Sequence, residues 1–421
     1  MSYRYRFCTA AVLLWVLWGC AASSPLSPEA VQTPLDSTDG SSAAVSPAVP
    51  TSFLDWKVHF RARAIAHGIA ADKVDRLLAQ ANESASVLQL DRKQPEFSQM
   101  IWSYLDNALA DSRVAQGKRH FQAQRAFLLG LQDRYGVPAE VIAAIWGMES
   151  SYGANTGNSH LPSALSTLAF EGRRKEFAEQ QLLALMRLLE SGDVRWDQLT
   201  GSWAGGMGQT QFIPTTYWDN AVDGNGDGLR NLWDSADALA STAHYLARSG
   251  WQAGLPWGYE VVLPQGFDYA AVGERLPLAQ WQQLGVVRAN GNALPTVAAN
   301  ARLWLPGGYQ GPAFLLTENF EVIRVYNNAS SYALGISLLS DAIVGREGLR
   351  ASWPRQAQPL SREQVLLLQQ RLNAAGFDTQ GVDGVLGEKS REAFRRWQAA
   401  NGQIPDGFVS VQNAQPLLGG R

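Results

Sequence analysis

Residues 145–153 read IWGMESSYG, an apolar run that ends on an ionisable Glu149 and passes at once into small and aromatic polar residues. The wider stretch VPAEVIAAIWGMES places Pro138 at a helix start and Glu149 close to its end, beside Trp146 and Met148. A carboxyl held against apolar and aromatic groups has its charged form disfavoured, so its pKa rises and it can carry a proton near neutral pH. The plain alternative is a solvated glutamate at a helix end. The rest of the chain decides between them.

Downstream, GSWAGGMGQTQFIPTTYW sets Gly205, Gly206 and Gly208 where backbone can approach closely. Ser202, Gln209 and Gln211 supply the neutral hydrogen-bonding groups that sugars need. In DGNGDGLRNLWDSAD, Asp223, Asn225 and Asp227 alternate, so their oxygens can converge on a hard cation, with Gly226 and Gly228 permitting a tight loop and Leu229 offering its carbonyl. A loop of the ordinary calcium-hand type would close on Asp234; an Asp/Gly turn that binds nothing is the simpler reading. YNNASSYA follows at 326–333.

The chain order ESSYG, AGGMGQTQF, DGNGDG, YNNASSYA resembles family B of the membrane-bound lytic murein transglycosylases over roughly residues 52–349. The resemblance implies a mainly α (α+β), lysozyme-like catalytic domain acting on the glycan strands of peptidoglycan. It places the single acid/base on Glu149 and a serine near the scissile bond on Ser202. It places substrate contacts on Arg173 and Arg174 of GRRKEF, Gln211, Phe212, Tyr245 of AHYLARSGW, Tyr326, Asn327 and Tyr332. It also implies a longer cation loop closing on Asp237, hence structural Ca2+ on Asp223, Asn225, Asp227, Leu229 and Asp237, and no organic cofactor. Gly206 departs from it, standing where a small residue such as Ala is expected.

The chemistry accords with one acid. Hydrolytic glycosidases usually need two carboxyl groups, to form a covalent intermediate or to activate water. A lytic transglycosylase needs one, because the muramoyl sugar's own C6 hydroxyl attacks and a 1,6-anhydromuramoyl end results; the tethered nucleophile has the advantage of proximity. A lysozyme-type hydrolase and a non-catalytic wall-binding scaffold remain the alternatives.

Composition frames this reading. With 46% hydrophobic and 17% charged residues, the 421-residue chain can build a large core and is long enough for a second, smaller domain. A formal charge of −3 without a basic block excludes electrostatic support for a nucleic-acid partner. The five histidines show no metal-ligand pair, and His67 and His244 read as surface or packing residues. Recurrent three- and four-residue apolar spacing predicts helices through most of the body, while about 257–316 reads as strands and loops.

At the N-terminus, Arg4 and Arg6 precede an apolar run at 7–18. That run is shorter than the about 20 residues a bilayer span requires. LWGCAASS resembles a lipobox, so residues 1–19 read as a lipoprotein signal peptide, Cys20 as the lipidated residue and 20–50 as a flexible tether. Ala21 then points to the periplasmic face of the outer membrane of a Gram-negative bacterium. With Cys8 removed, no disulfide framework is available. Residues 51–350 read as the catalytic domain, 351–360 as a linker and 361–418 as a three-helix module. VDGVLGEKSREAFRRWQ in that module resembles a peptidoglycan-binding domain.

Overall fold

The computed structural model describes residues 50–92 and 99–419. The expected signal peptide, Cys20 and nearly all of the tether lie outside them. Pro138 caps the helix Ala139–Ser150, whose residues are buried almost throughout, as a stretch apolar on all sides requires. The helix stops because Ser151 and Tyr152 both turn left-handed, at φ 52° and 61°. It packs against Ser330–Ile343, Arg125–Tyr135, Asp111–Ala123 and Ser235–Arg248 around a core containing Ile142, Ile145, Phe320 and Leu339.

A second helical block forms around Leu161–Glu171 and Lys175–Ser191, with Phe53–Ala66, Ala71–Gln80 and Pro214–Asn220 against them. Its core contains Phe60, Leu165, Leu182, Leu185 and Tyr217. The apolar spacing of the Lys175–Ser191 sequence lays Leu182, Leu185 and Leu189 on one buried face until Gly192 ends the helix at φ 85°. A short antiparallel pair, β1 (Ser159–His160) and β2 (Thr200–Gly201), ties the two sides of this block together.

The strand-rich segment folds as expected. Strands β3 (Gly258–Val262), β4 (Arg275–Pro277), β5 (Val287–Arg288), β6 (Asn300–Trp304) and β7 (Ala313–Leu316) form an antiparallel sheet ordered β4-β6-β7-β3-β5. Tyr259 and Leu303 both pair with Leu315 of the central β7, and Leu278 and Trp281 pack beneath.

The tail forms three helices, Arg362–Ala374, Glu388–Ala400 and Val411–Leu418, around Leu368, Leu372, Phe394 and Val409. Ser361 and Gln364 make a reciprocal capping box at its start. Residues 351–360 contain no helix and no strand longer than an isolated bridge, but they are not a free tether. The Trp353 ring lies 5.9 Å from that of Trp102, Arg355 pairs with Asp106 at 2.8 Å, and the Phe408 ring of the module lies 6.3 Å from that of Trp102. Buried aromatic area seats the module on the body. No described helix is long and apolar enough to cross a membrane.

Candidate active site

Glu149 sits where the two helical blocks meet. Tyr326 packs against both cores, and its hydroxyl donates to the Thr210 carbonyl of the glycine-rich loop, so one side chain joins the helix after the sheet to the loop of the second block. Phe212, Tyr245 and Tyr326 form a mutually packed trio with ring centroids 5.4–5.7 Å apart. Glu149 itself is only 5% exposed. Tyr332, on the helix Ser330–Ile343, donates its hydroxyl to Glu149 Oε1 at 2.5 Å. Burial raises the Glu149 pKa to about 7, and the Tyr332 hydrogen bond works in the opposite direction by favouring the carboxylate. Among the described residues, no second carboxylate shifts it.

Three tyrosines feel the Glu149 charge, which helps push their hydroxyls upward: Tyr326, Tyr332 and Tyr104. Tyr104 is absent from the sequence reading. It lies on the helix Ile101–Ala108, in a stretch whose only local signal is helical periodicity.

The glycine-rich loop folds on itself through Ser202 and Gly206. The Ser202 N–H donates to the Gly206 carbonyl at 2.8 Å, and the Gly206 N–H donates back to Ser202 Oγ at 2.8 Å. Gln211, left-handed at φ 53°, spends both amide hydrogens on the Thr156 and Gly208 carbonyls. A β-carbon on Gly206 would lie 2.8 Å from Gln211 Oε1 and 2.9 Å from Ser202 Oγ, so both side chains crowd the bare face of Gly206 and a larger residue there would displace them. Gln209 acts as a strut: it accepts from Trp146 Nε1 at 2.8 Å and donates to the Trp233 carbonyl at 2.7 Å, linking the Glu149 helix, the glycine-rich loop and the closing part of the cation loop.

Asn327 is buried next to Tyr326. Arg173 and Arg174 are placed elsewhere in the hydrogen-bonding pattern. They occupy the corner between Leu161–Glu171 and Lys175–Ser191, where Arg173 donates to the Asp91 carbonyl and faces its carboxylate, and Arg174 lies over the Phe177 ring.

In the candidate metal centre, oxygens of Asp223, Asp227 and Asp237 converge to within 4.8 Å of one another. Gly226 and Gly228, at φ 83° and 88°, let the loop donate its N–H groups to Asp223. Asp237 is fully buried and accepts from Gly224, Asn225 and Asn231 N–H groups. Asp234 caps the helix Ser235–Arg248 and so is not the closing ligand. The donor set, all hard oxygens on a preformed loop, fits a hard cation.

The Transglycosylase SLT domain matches residues 52–341, and a putative peptidoglycan binding domain matches 361–412. The chain belongs to the SLT transglycosylase family. It is similar to membrane-bound lytic murein transglycosylase B of Escherichia coli K12, with 31% identity over 303 residues covering 66% of this chain and 79% of that protein. Among solved structures it resembles SltB3 of Pseudomonas aeruginosa in complex with NAG-anhNAM-pentapeptide (47% identity, 87% of this chain and 99% of that one, TM-score 0.84). It also resembles the Escherichia coli lytic transglycosylase Slt35 in complex with calcium (28% identity, 69% and 92%, TM-score 0.59). The chain is a lytic transglycosylase of peptidoglycan with a peptidoglycan-binding domain.

In this transglycosylase Tyr332→Phe removes the one hydroxyl that favours the Glu149 carboxylate. The alkaline limb of the pH–rate profile is expected to move up by about one pH unit, with roughly a tenfold loss of rate, the scale of one hydrogen bond to a charged group. A limb that stays in place or moves down would show that Tyr332 does not set the Glu149 titration.

Proposed function

We propose that the transglycosylase breaks the β-1,4 bond between N-acetylmuramic acid and N-acetylglucosamine without water, with Glu149 serving first as general acid and then as general base. The observation that carries this reading is one buried carboxyl, protonated near neutral pH, with no other described carboxylate acting on it. Glu149 gives its proton to the glycosidic oxygen as the C1–O4 bond breaks. The C6 hydroxyl of the same muramoyl residue then closes on C1, and its proton returns to the Glu149 carboxylate. The product is a 1,6-anhydromuramoyl end, and the acid is restored for the next cycle. A retaining or inverting hydrolase would need a second carboxyl to form an intermediate or to activate water.

The neutral groups around Glu149 suit an uncharged substrate. Ser202 and Gln211 each bring a neutral oxygen to the face of Gly206, and Asn327 and Ser202 are the candidates for orienting the N-acetyl carbonyl against the oxocarbenium-like centre. Phe212, Tyr245 and Tyr326 supply aromatic surface, and Arg173 and Arg174 bind substrate further along the cleft. That SltB3 was captured with NAG-anhNAM-pentapeptide supports the same product class here.

Asp223, Asn225, Asp227, the Leu229 carbonyl and Asp237 would hold a structural Ca2+, a reading supported by the convergent carboxylates and by the calcium complex of Slt35. Calcium at a hundred times its dissociation constant stabilises the folded chain by about 2.7 kcal/mol, visible as a higher Tm that a chelator reverses. An unchanged Tm across that range would remove calcium from the proposal. Cys20 carries the lipid that holds the catalytic domain (51–350), the linker (351–360) and the module (361–418) at the periplasmic face of the outer membrane, a reading that rests on the lipobox alone.

Mass spectrometry of soluble products from isolated peptidoglycan tests the reaction. Anhydromuramoyl ends are expected; reducing muramic acid ends would make the chain a hydrolase instead.

A further inference from the structure

A cavity of about 620 Å³ opens at the end of the helix Ala139–Ser150 opposite Glu149. Glu140 lines it from the start of that helix, Asp341 from the end of the helix that carries Tyr332, and Tyr259 and Arg288 from the paired strands β3 and β5. Trp251 and Trp257 line it too. The volume lies within the range of small-molecule sites, and nothing in the proposed reaction uses it.

The charges in its wall are unevenly satisfied. Arg346 reaches both Asp341 and Glu140 at 2.7 Å, and Trp257 Nε1 donates to Asp341 at 3.2 Å, so both carboxylates are committed. Arg288 is different. Its guanidinium lies 5.9 Å from the Tyr259 ring centroid, and among the described residues no carboxylate pairs with it. The buried Trp251 indole N–H also has no partner. A cation resting on an aromatic face without a counter-ion, in a cavity walled by tryptophans, suits a ligand that brings its own carboxylate and short apolar groups.

We infer that this cavity is a second binding site, for the stem peptide of peptidoglycan, with a peptide carboxylate on Arg288 and short side chains against Trp251 and Trp257. The inference rests on the proposed action on peptidoglycan. Where a stem peptide is attached, the muramoyl lactyl carboxyl is consumed in the amide bond, so on such a strand only the peptide brings a carboxylate to Arg288, which is why the peptide is favoured over sugar.

Calorimetric titration of the full chain with a free stem tetrapeptide, carrying no sugar, tests this. Saturable binding is expected, weakened at least tenfold in Arg288→Met and partly recovered in Arg288→Lys. A tetrapeptide with its carboxylates converted to amides is expected to bind the unaltered protein as weakly as the acid binds Arg288→Met, an arm that needs no variant. Cleavage of peptide-free glycan strands by Arg288→Met should stay within twofold, since Arg288 lies outside the Glu149 site. No binding to the unaltered protein, equal binding by Arg288→Met, or an equal loss on peptide-free strands each overturns the inference. If the unaltered protein cuts peptidoglycan but does not bind the peptide, this inference alone falls; if it cuts nothing, the activity reading falls first.

Discussion

Glu149→Gln is expected to abolish cleavage of peptidoglycan, lowering the rate by about 10³-fold or more, while the protein stays folded and gains stability at alkaline pH. The loss follows from removing the one described carboxyl at the site, since general acid–base catalysis alone is worth about 10²–10⁴. The gain follows from linkage. Folding raises the Glu149 pKa from 4.5 to about 7. The folded state therefore holds a proton that the unfolded chain releases. Its contribution to stability is fully present below the unfolded value and is lost as pH rises through the folded one. Above pH 7 the native protein carries a penalty on the order of 3 kcal/mol that an amide of the same shape does not. The Tyr332 hydroxyl can still donate to the amide carbonyl oxygen. Melting curves for both proteins should coincide near pH 4 and separate between about pH 5 and 8, with the variant higher. The same protonation has a kinetic face: the unaltered enzyme should lose activity above about pH 7 as the acid form is depleted. Retained cleavage by Glu149→Gln would remove Glu149 from the reaction, and melting curves that stay together would mean that its carboxyl is not buried as described.

Asp237→Ala carries the largest expected loss of stability. The Asp237 carboxylate accepts from the N–H groups of Gly224, Asn225 and Asn231 at 2.8, 3.2 and 2.7 Å, and its side chain is fully buried. Truncation leaves three backbone donors without partners, at about 1–3 kcal/mol each. A total of roughly 3–9 kcal/mol, nearer the lower end where water reaches the exposed Asn225 N–H, is a large share of the about 5–15 kcal/mol that holds a domain folded. A Tm lower by about 10 °C and loss of any calcium-dependent rise are expected from calorimetry. The damage should reach the active site, because Leu232 and Trp233, just beyond Asn231, are the backbone partners of Gln209, which in turn holds Trp146 of the Glu149 helix. Asp237→Asn keeps an acceptor oxygen and should lose less stability while still weakening calcium binding. A variant that melts like the unaltered chain and still responds to calcium would place the cation elsewhere.

Much of this site is legible in the residues themselves. Glu149 at the end of an apolar helix, the Ser202 to Gln211 loop and the Asp223 to Asp237 run are local, and the helix, turn and loop that position them follow from nearest-neighbour rules of spacing, capping and glycine freedom. Tyr332 could be singled out from its motif, but its hydroxyl meeting Glu149 across 183 positions could not. Tyr104 has no local signal beyond helical periodicity, so only packing brings it to the acid.

The same divide runs through the rest of the molecule. The sequence by itself determined the helical body, the strand-rich insert, the three-helix tail and a single acid set among apolar neighbours, because each depends on a periodicity or turn chemistry confined to a few residues. Only the tertiary structure decided that Glu149 is buried enough to titrate near neutrality, that Ser202 and Gln211 both crowd Gly206, and that Gln209 ties the cation loop to the catalytic helix. It also decided that Arg173 faces Asp91 and that Trp102, Trp353 and Phe408 seat the module on the body. Burial and long-range hydrogen bonds arise from which surfaces pack together, and that choice is made by the whole chain at once.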